Sequence, residues 1–310
     1  MKNIKTMGIV ALCGSIVLTL GGCGGGGGGS STPSSSNPPD TTGGGTGTHL
    51  AGELKTVNVG GINVNMRWCP AGTFSMGIPS DSGFVVPEWK SHQVTLTKGF
   101  WICETEVTQQ LWTAVMGTNP STNKSPNFPV ETVSQNDCNS FLSKITISGY
   151  TVSLPTEAQW EYAYRAGTTT DFYNGNYDAR SSTSAPLTAV HLSEIAVYNS
   201  NKLAWNDPSL VSCAVGTKTP NAWHISDMAG NVQELTSDSW RAYPQTSEID
   251  PHYTIGNSVV YRGGDYSSWV IGCTAGYREA NDLKSDKEDY IGFRFIMTEN
   301  TVSSIVEVNN

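Results

Sequence analysis

The chain has 310 residues, enough for one large or two ordinary domains, and a formal net charge of −9 at pH 7. No cluster of Lys or Arg interrupts this acidic balance, which argues against a nucleic-acid partner and against a basic membrane-docking patch. Nine Trp and twelve Tyr point to a real core, with aromatic side chains left over for its surface.

Lys2 and Lys5 precede an apolar run over 7–20 that is too short, and too quickly followed by glycine, to span a bilayer. The pattern predicts a signal peptide over 1–22. Without its two lysines, 16 cations face 27 anions, a mature charge of −11. The run ends in Leu20-Gly21-Gly22-Cys23, which resembles the bacterial lipobox. That resemblance implies lipidation at Cys23 and attachment to the membrane through the lipid. With Gly24 rather than Asp next, it also implies display at the outer membrane or cell surface. Acyl chains contribute about 0.8 kcal/mol per buried methylene, so several of them anchor firmly. Residues 24–48 are rich in Gly, Ser, Thr and Pro and cannot bury apolar area. A lipidated tether is therefore expected over 23–50 and a folded domain over 51–310.

Within that domain, alternation over 56–67 around Gly60-Gly61 predicts a hairpin, and 92–97 predicts a short strand. A helix is expected over 108–116, closed by Gly117. A second is expected over 134–145, with Ser134 as cap and Asp137 three residues on. The third helix carries the clearest signal. Thr156 is its N-cap, Gln159 the capping-box partner and Gly167 its stop. Beyond Ala166 the sequence reads as loop-rich to its end. Cys69, Cys103, Cys138, Cys213 and Cys273 are an odd set without a C-x-x-C pair. They read as buried small side chains, in a compartment that permits one disulfide.

Several segments fall into a known order. They are Pro70-Ala71-Gly72-Thr73-Phe74-Ser75-Met76-Gly77, Glu104-Thr105-Glu106-Val107-Thr108 with Trp112 and Met116-Gly117, Asn119-Pro120-Ser121 and Phe128-Pro129-Val130-Glu131. Leu154-Pro155-Thr156-Glu157-Ala158-Gln159-Trp160-Glu161-Tyr162-Ala163, Val215-Gly216, Pro220-Asn221, Asp227-Met228-Ala229-Gly230-Asn231-Val232-Gln233-Glu234, Arg262-Gly263-Gly264 and Gly292-Phe293-Arg294 follow. Over 66–298 the chain thus resembles the sulfatase-modifying-factor domain, the family of the formylglycine-generating enzyme. The resemblance implies an α+β, loop-rich variant of the C-type lectin fold.

The enzyme of that family oxidises a substrate cysteine with two copper-binding cysteines shortly after Arg-Gly-Gly. Here only Cys273 is present and the earlier position is serine. One thiol cannot reproduce a two-thiolate copper site. No histidine pair stands at metal-ligand spacing either. A cell-envelope enzyme with altered chemistry at Cys273 is the alternative reading.

The resemblance also implies structural calcium. One ion falls to the Asp227 carboxylate, the Gly230 and Val232 carbonyls and the Glu234 carboxylate, hard donors at close spacing around a glycine. A second falls to Asn199, Ser200, Asp207 and Ser209. Family members usually carry Trp where Gln233 and Leu235 stand, a change expected to alter packing.

Non-enzymatic relatives follow Arg-Gly-Gly with an asparagine-dense run, which diversity-generating retroelements rewrite in one group. This chain keeps Arg262-Gly263-Gly264, Cys273, Arg278 and Ile291-Gly292-Phe293-Arg294. Between them the filling differs, within a variable segment over 262–295. The expected ligand-binding residues are Asp265, Tyr266, Ser268, Trp269, Ile271, Gly272, Tyr277, Glu279, Asn281, Asp282, Lys287, Glu288, Asp289 and Tyr290. Aromatic side chains give large rigid contact area, as in antibody paratopes. With the acids among them, they imply a protein or other macromolecular ligand that carries apolar pockets and basic groups.

Overall fold

A computed structural model describes residues 49–78, 86, 89–176, 192–199, 209–281 and 283–300. The expected leader, Cys23 and most of the tether lie outside these residues, as do Ser200, Asp207 and Asp282. The described part falls within one compact unit over 42–310. Among the described residues, no helix is long and apolar enough to cross a membrane.

The first strands, β1 (Leu54–Val59) and β2 (Ile62–Cys69), form the expected hairpin, with Val59 opposite Ile62. Folded structure starts before the expected boundary at 51, because His49 packs its ring 4.7 Å from Trp68 and 5.0 Å from Trp101. β3 (Gly72–Met76) pairs with β4 (His92–Leu96), and β5 (Phe100–Cys103) pairs with β2. Helix α1 (Gln109–Met116) is capped by Thr108, whose hydroxyl accepts from Leu111 N, and ends at the left-handed Gly117. Helix α2 (Gln135–Leu142) carries a full capping box between Ser134 and Asp137. It is shorter than the expected 134–145. After β6 (Tyr150–Ser153), helix α3 (Glu157–Arg165) has the expected Thr156–Gln159 box. Its C-cap is Ala166 at φ 44°, one residue ahead of the expected stop at Gly167.

The remainder is loop-rich as expected, and short strands run through it. After α4 (Leu192–Ile195) come β7 (Ala196–Val197), β8 (Ala229–Gly230), β9 (Gln233–Ser239), β10 (Glu248–Ile249) and β11 (Val259–Arg262). They are followed by β12 (Arg278–Asn281), β13 (Ile291–Gly292) and β14 (Ile296–Glu299). Most are too short for alternation to register. The longest, β9, reads Gln-Glu-Leu-Thr-Ser-Asp-Ser, yet nearly all of it is buried. Its polar side chains are spent on buried hydrogen bonds, so no apolar period marks it.

Four strands in the order β12-β11-β9-β13 make one sheet. Five in the order β1-β2-β5-β14-β6 make another, in which β14 closes the C-terminal part of the fold against β5. Two apolar clusters fill the unit. One surrounds Phe100, Trp160, Met228 and Cys273. The other surrounds Trp101, Trp112, Phe141, Phe293 and Phe295, where Trp112 stacks flat on Phe141 at 5.2 Å.

Arginine–carboxylate pairs tie α3 and β9 to the C-terminal strands. Arg278 grips Glu157 through two bonds of 2.8 and 2.6 Å. Its guanidinium lies between the Trp240 and Tyr243 rings at 4.1 and 4.0 Å. Arg262 donates to Glu157 at 3.1 Å and to Glu161 at 2.5 Å. Arg165 also donates to Glu161, at 2.9 Å. Burial raises the Glu161 carboxyl, but Arg165 and Arg262 together hold it below the usual carboxylate range. Its ionised form therefore contributes stability above that range, which is lost as pH falls through the lowered value.

All five side chains are nearly inaccessible to water. Removing one partner of such a pair leaves an uncompensated charge. Glu157→Ala takes the carboxylate from Arg278, leaves Arg262 with Glu161 alone, and should cost about 3–5 kcal/mol in a urea unfolding measurement. A loss below about 1 kcal/mol, the range of exposed pairs, would show that these bonds do not brace the fold.

Candidate functional site

The segment over 265–290 leaves the frame at Gly263 and Gly264, both left-handed at φ 92° and 69°. A Cβ on Gly264 would lie 2.8 Å from Gly272 O, so the two arms of the loop close on each other only with glycine here. Asp265 then makes a tight turn. Its Oδ1 accepts from the Ser267 backbone and hydroxyl, each at 2.7 Å, and its own N–H donates to Ser268 Oγ at 3.0 Å.

Asp265 is buried, and burial pushes its carboxyl up, with the Glu279 charge adding to the rise. Gln233 Nε2 bridges the two acids, at 3.2 Å to Asp265 and 2.8 Å to Glu279. Gln233 is therefore more than a packing change. A neutral amide sits where two carboxylates meet, a contact the local sequence gives no means of finding.

Around this pair the expected contact residues divide. Tyr266, Ser268, Ile271, Tyr277, Glu279 and Tyr290 are half-buried with part of each side chain in solvent. Trp269 is 67% exposed at the start of a 3-10 turn over Val270–Cys273. Lys287, Glu288 and Asp289 are exposed. Asp265 and Gly272 are buried, so they belong to the frame rather than to a contact face. Asn281 is placed by its backbone in β12, opposite Val259.

The tyrosines are fixed by their hydroxyls and neighbours. Tyr277 donates to Glu279 at 2.7 Å and packs its ring 5.3 Å from Trp89. Tyr266 OH lies 3.4 Å from Asp289 Oδ1. Lys287 is turned away to Asp137 at 2.7 Å. The face is thus aromatic and acidic. Its one lysine among the contact residues is already paired.

Cys273 lies beneath this face, not on it. The thiol is fully buried, and burial, followed by the Asp265 charge, raises it far above the ordinary thiol range. A thiolate nucleophile needs the opposite environment. The other cysteines among the described residues are also free thiols, with no disulfide between them. Cys69, Cys103 and Cys138 are buried, with Cys103 pushed up to about 12 by burial, and Cys213 is partly exposed.

The expected calcium ligands fit in part. Asp227 is buried at φ 57° and accepts from Gly216 N at 2.5 Å. Glu234 does not fit. Arg294 binds both of its oxygens, each at 2.6 Å, and Trp160 Nε1 adds a third bond at 2.8 Å. Gly230 and Val232 are buried nearby, with Gly230 paired to Val197 in the β7–β8 ladder. A second buried acid, Glu106, interacts with Asp227. In the second set, Asn199 is buried and Ser209 exposed, and their expected partners Ser200 and Asp207 are not described. Among the described residues, no three His, Cys, Asp or Glu side chains converge as a metal-ligand group.

Short strands, few helices and long loops pinned by buried arginines define a C-type-lectin-like fold of the formylglycine-generating-enzyme type. The sulfatase-modifying factor enzyme 1-like domain matches residues 53–299, and the chain belongs to that family. It is 29% identical over 205 residues to a chaperone protein LppX of Paenibacillus barcinonensis, across 52% of this chain and 69% of that one. It is 30% identical over 192 residues to the formylglycine-generating enzyme of Streptomyces coelicolor, across 59% of this chain and 57% of the enzyme. Among solved structures it is similar to Treponema denticola variable protein 1, with a TM-score of 0.64 and 26% identity over 78% of this chain and 98% of that one.

The accessibility of the thiols is directly measurable. Iodoacetamide should label Cys213 in the folded protein, and Cys69, Cys103, Cys138 and Cys273 only after denaturation. Rapid native labelling of Cys273, read by peptide mass spectrometry, would contradict its burial.

Proposed function

We propose that this chain is a non-catalytic, lipid-anchored binding protein displayed at the outer membrane or cell surface, whose 265–290 face recognises a protein or other macromolecule. Its side chains there are the product of a diversity-generating retroelement. One observation carries the reading. Buried arginines at 262, 278 and 294 fix the backbone of the segment, while aromatic and acidic side chains point outward between them. Side chains of that kind can change without disturbing the core, since exposed substitutions usually shift stability by under about 0.5 kcal/mol. The likeness to a variable protein of Treponema denticola supports the same reading. The lipobox-like Leu20-Gly21-Gly22-Cys23 and the polar stretch after it support anchoring and display.

The acids Glu279, Glu288 and Asp289 around Trp269 suit a partner with basic side chains and an apolar pocket. They repel nucleic acid. Such a partner would meet a rigid aromatic anchor in Trp269 and a rim of charge that steers approach.

A cell-envelope enzyme with altered chemistry at Cys273 is the second reading, favoured by the Streptomyces relative. It has to draw a reactive thiolate from a buried thiol whose surroundings favour the protonated form.

Sequencing the locus in sister isolates tests the proposal. Substitutions should concentrate at Tyr266, Ser268, Trp269, Ile271, Tyr277 and Glu279, and spare Asp265, Gly272, Cys273 and Arg278. A reverse transcriptase gene and a near-copy of the 3′ end should lie nearby. An invariant segment, together with conversion of a cysteine peptide to an aldehyde by the purified protein, would favour the enzyme instead.

A further inference from the structure

Two tryptophans from outside the 265–290 segment stand beside the candidate face. The Trp89 ring lies 5.3 Å from Tyr277, edge to face, and 6.3 Å from Trp240. All three side chains are half-buried, so the row Tyr277–Trp89–Trp240 presents aromatic surface to solvent.

The row is fixed by the same bracing as the loop. Trp240 covers the Arg278 guanidinium at 4.1 Å, and Arg278 is bound to Glu157. Trp89 O accepts from Ile78 N at 2.8 Å. The preceding Gly77 donates its N–H to Glu161 at 2.8 Å, and its carbonyl accepts from Arg165 at 2.9 Å. A Cβ on Gly276 would lie 2.9 Å from the Gly77 backbone, so the loop meets this segment backbone to backbone. Rings held in this way lose little freedom when a partner covers them, which suits an interface anchor.

At its Tyr277 end the row meets acid. Tyr277 OH donates to Glu279 at 2.7 Å. The Gln233 amide joins Glu279 to the buried Asp265, and neither acid is ion-paired among the described residues. Arg278 is committed to Glu157 and Lys287 to Asp137. The charge on the half-buried Glu279 is thus left for a cation from outside. A guanidinium or ammonium group suits it, because such groups also pack on aromatic rings.

We propose that Trp89 and Trp240 are a fixed part of the recognition surface, and that the row takes a protein segment with a basic residue between apolar ones. The basic side chain meets Glu279 and Tyr277, and its apolar neighbours cover Trp89 and Trp240. The inference rests on the reading of 265–290 as a binding face and extends that face beyond the segment.

The test titrates the folded chain, with isotope-labelled tryptophan indoles read by NMR, against N-acetyl-Leu-Arg-Leu-amide and its Leu-Glu-Leu counterpart. The arginine peptide should move the Trp89 and Trp240 signals and leave that of Trp112, which is buried on Phe141. The glutamate peptide should move neither. Trp89→Ala should weaken the arginine peptide at least about fivefold and Glu279→Gln at least about threefold, whereas Trp89→Phe should stay within about twofold. The parent titration decides the matter even where Trp89→Ala does not fold. Movement confined to Trp269 would overturn the inference and leave the 265–290 face as proposed. Trp89 and Trp240 signals that stay still with the arginine peptide, or move equally with both peptides, would also overturn it. The reading of the face itself fails on a different observation, an invariant segment in sister isolates.

Discussion

The fold depends on guanidinium groups buried against carboxylates. Arg262, Arg278 and Arg294 are almost inaccessible to water, and each is held by an acid from a different part of the chain. Glu157 and Glu161 come from the first and second turns of α3, and Glu234 from β9. Each bond is demanding, because a charge in the interior must find its partner or the fold loses several kcal/mol. The same demand makes the geometry unique. A guanidinium with two bonds to Glu157 and a ring on either face has one place to go. α3 is therefore the post to which the C-terminal strands are tied, and its capping box sets where that post begins.

This bracing separates buried frame positions from outward ones along the sequence. Arg278 lies in the middle of the candidate face and fixes β12 from below, while its neighbours Tyr277 and Glu279 reach the surface. Asp265 and Gly272 do similar work at the turns. The surface itself combines Trp269, three half-buried tyrosines and several acids, with Tyr290 packed against the core beneath. Cys273 is a core side chain packed under Gly264.

Much of this was legible in the residues. The β1–β2 hairpin, the Ser134 and Thr156 capping boxes and the Gly117 stop follow from local rules, and local rules read well from sequence. β9 and β14 did not stand out. β9 is polar because its side chains serve buried networks, and β14 is defined by strands far earlier in the chain, as in the pairings of Ile296 with Ile102 and with Ser153. The burial of Asp265 and Gly272 was hidden for a related reason. In an aperiodic segment no rule separates inward from outward positions. Gln233 was visible as a departure from the family, but its bridge between Asp265 and Glu279 depends on a fold that brings β9 under the loop.

The central claim is that the frame carries the stability and the exposed filling does not. It is tested most directly by replacing Tyr266, Trp269, Ile271, Lys287 and Asp289 together with residues of other types and measuring unfolding in urea. The account predicts a change of no more than about 2 kcal/mol with the same cooperativity, since exposed substitutions shift stability little. A collapse of the transition, or a loss as large as that of a broken buried ion pair, would contradict it.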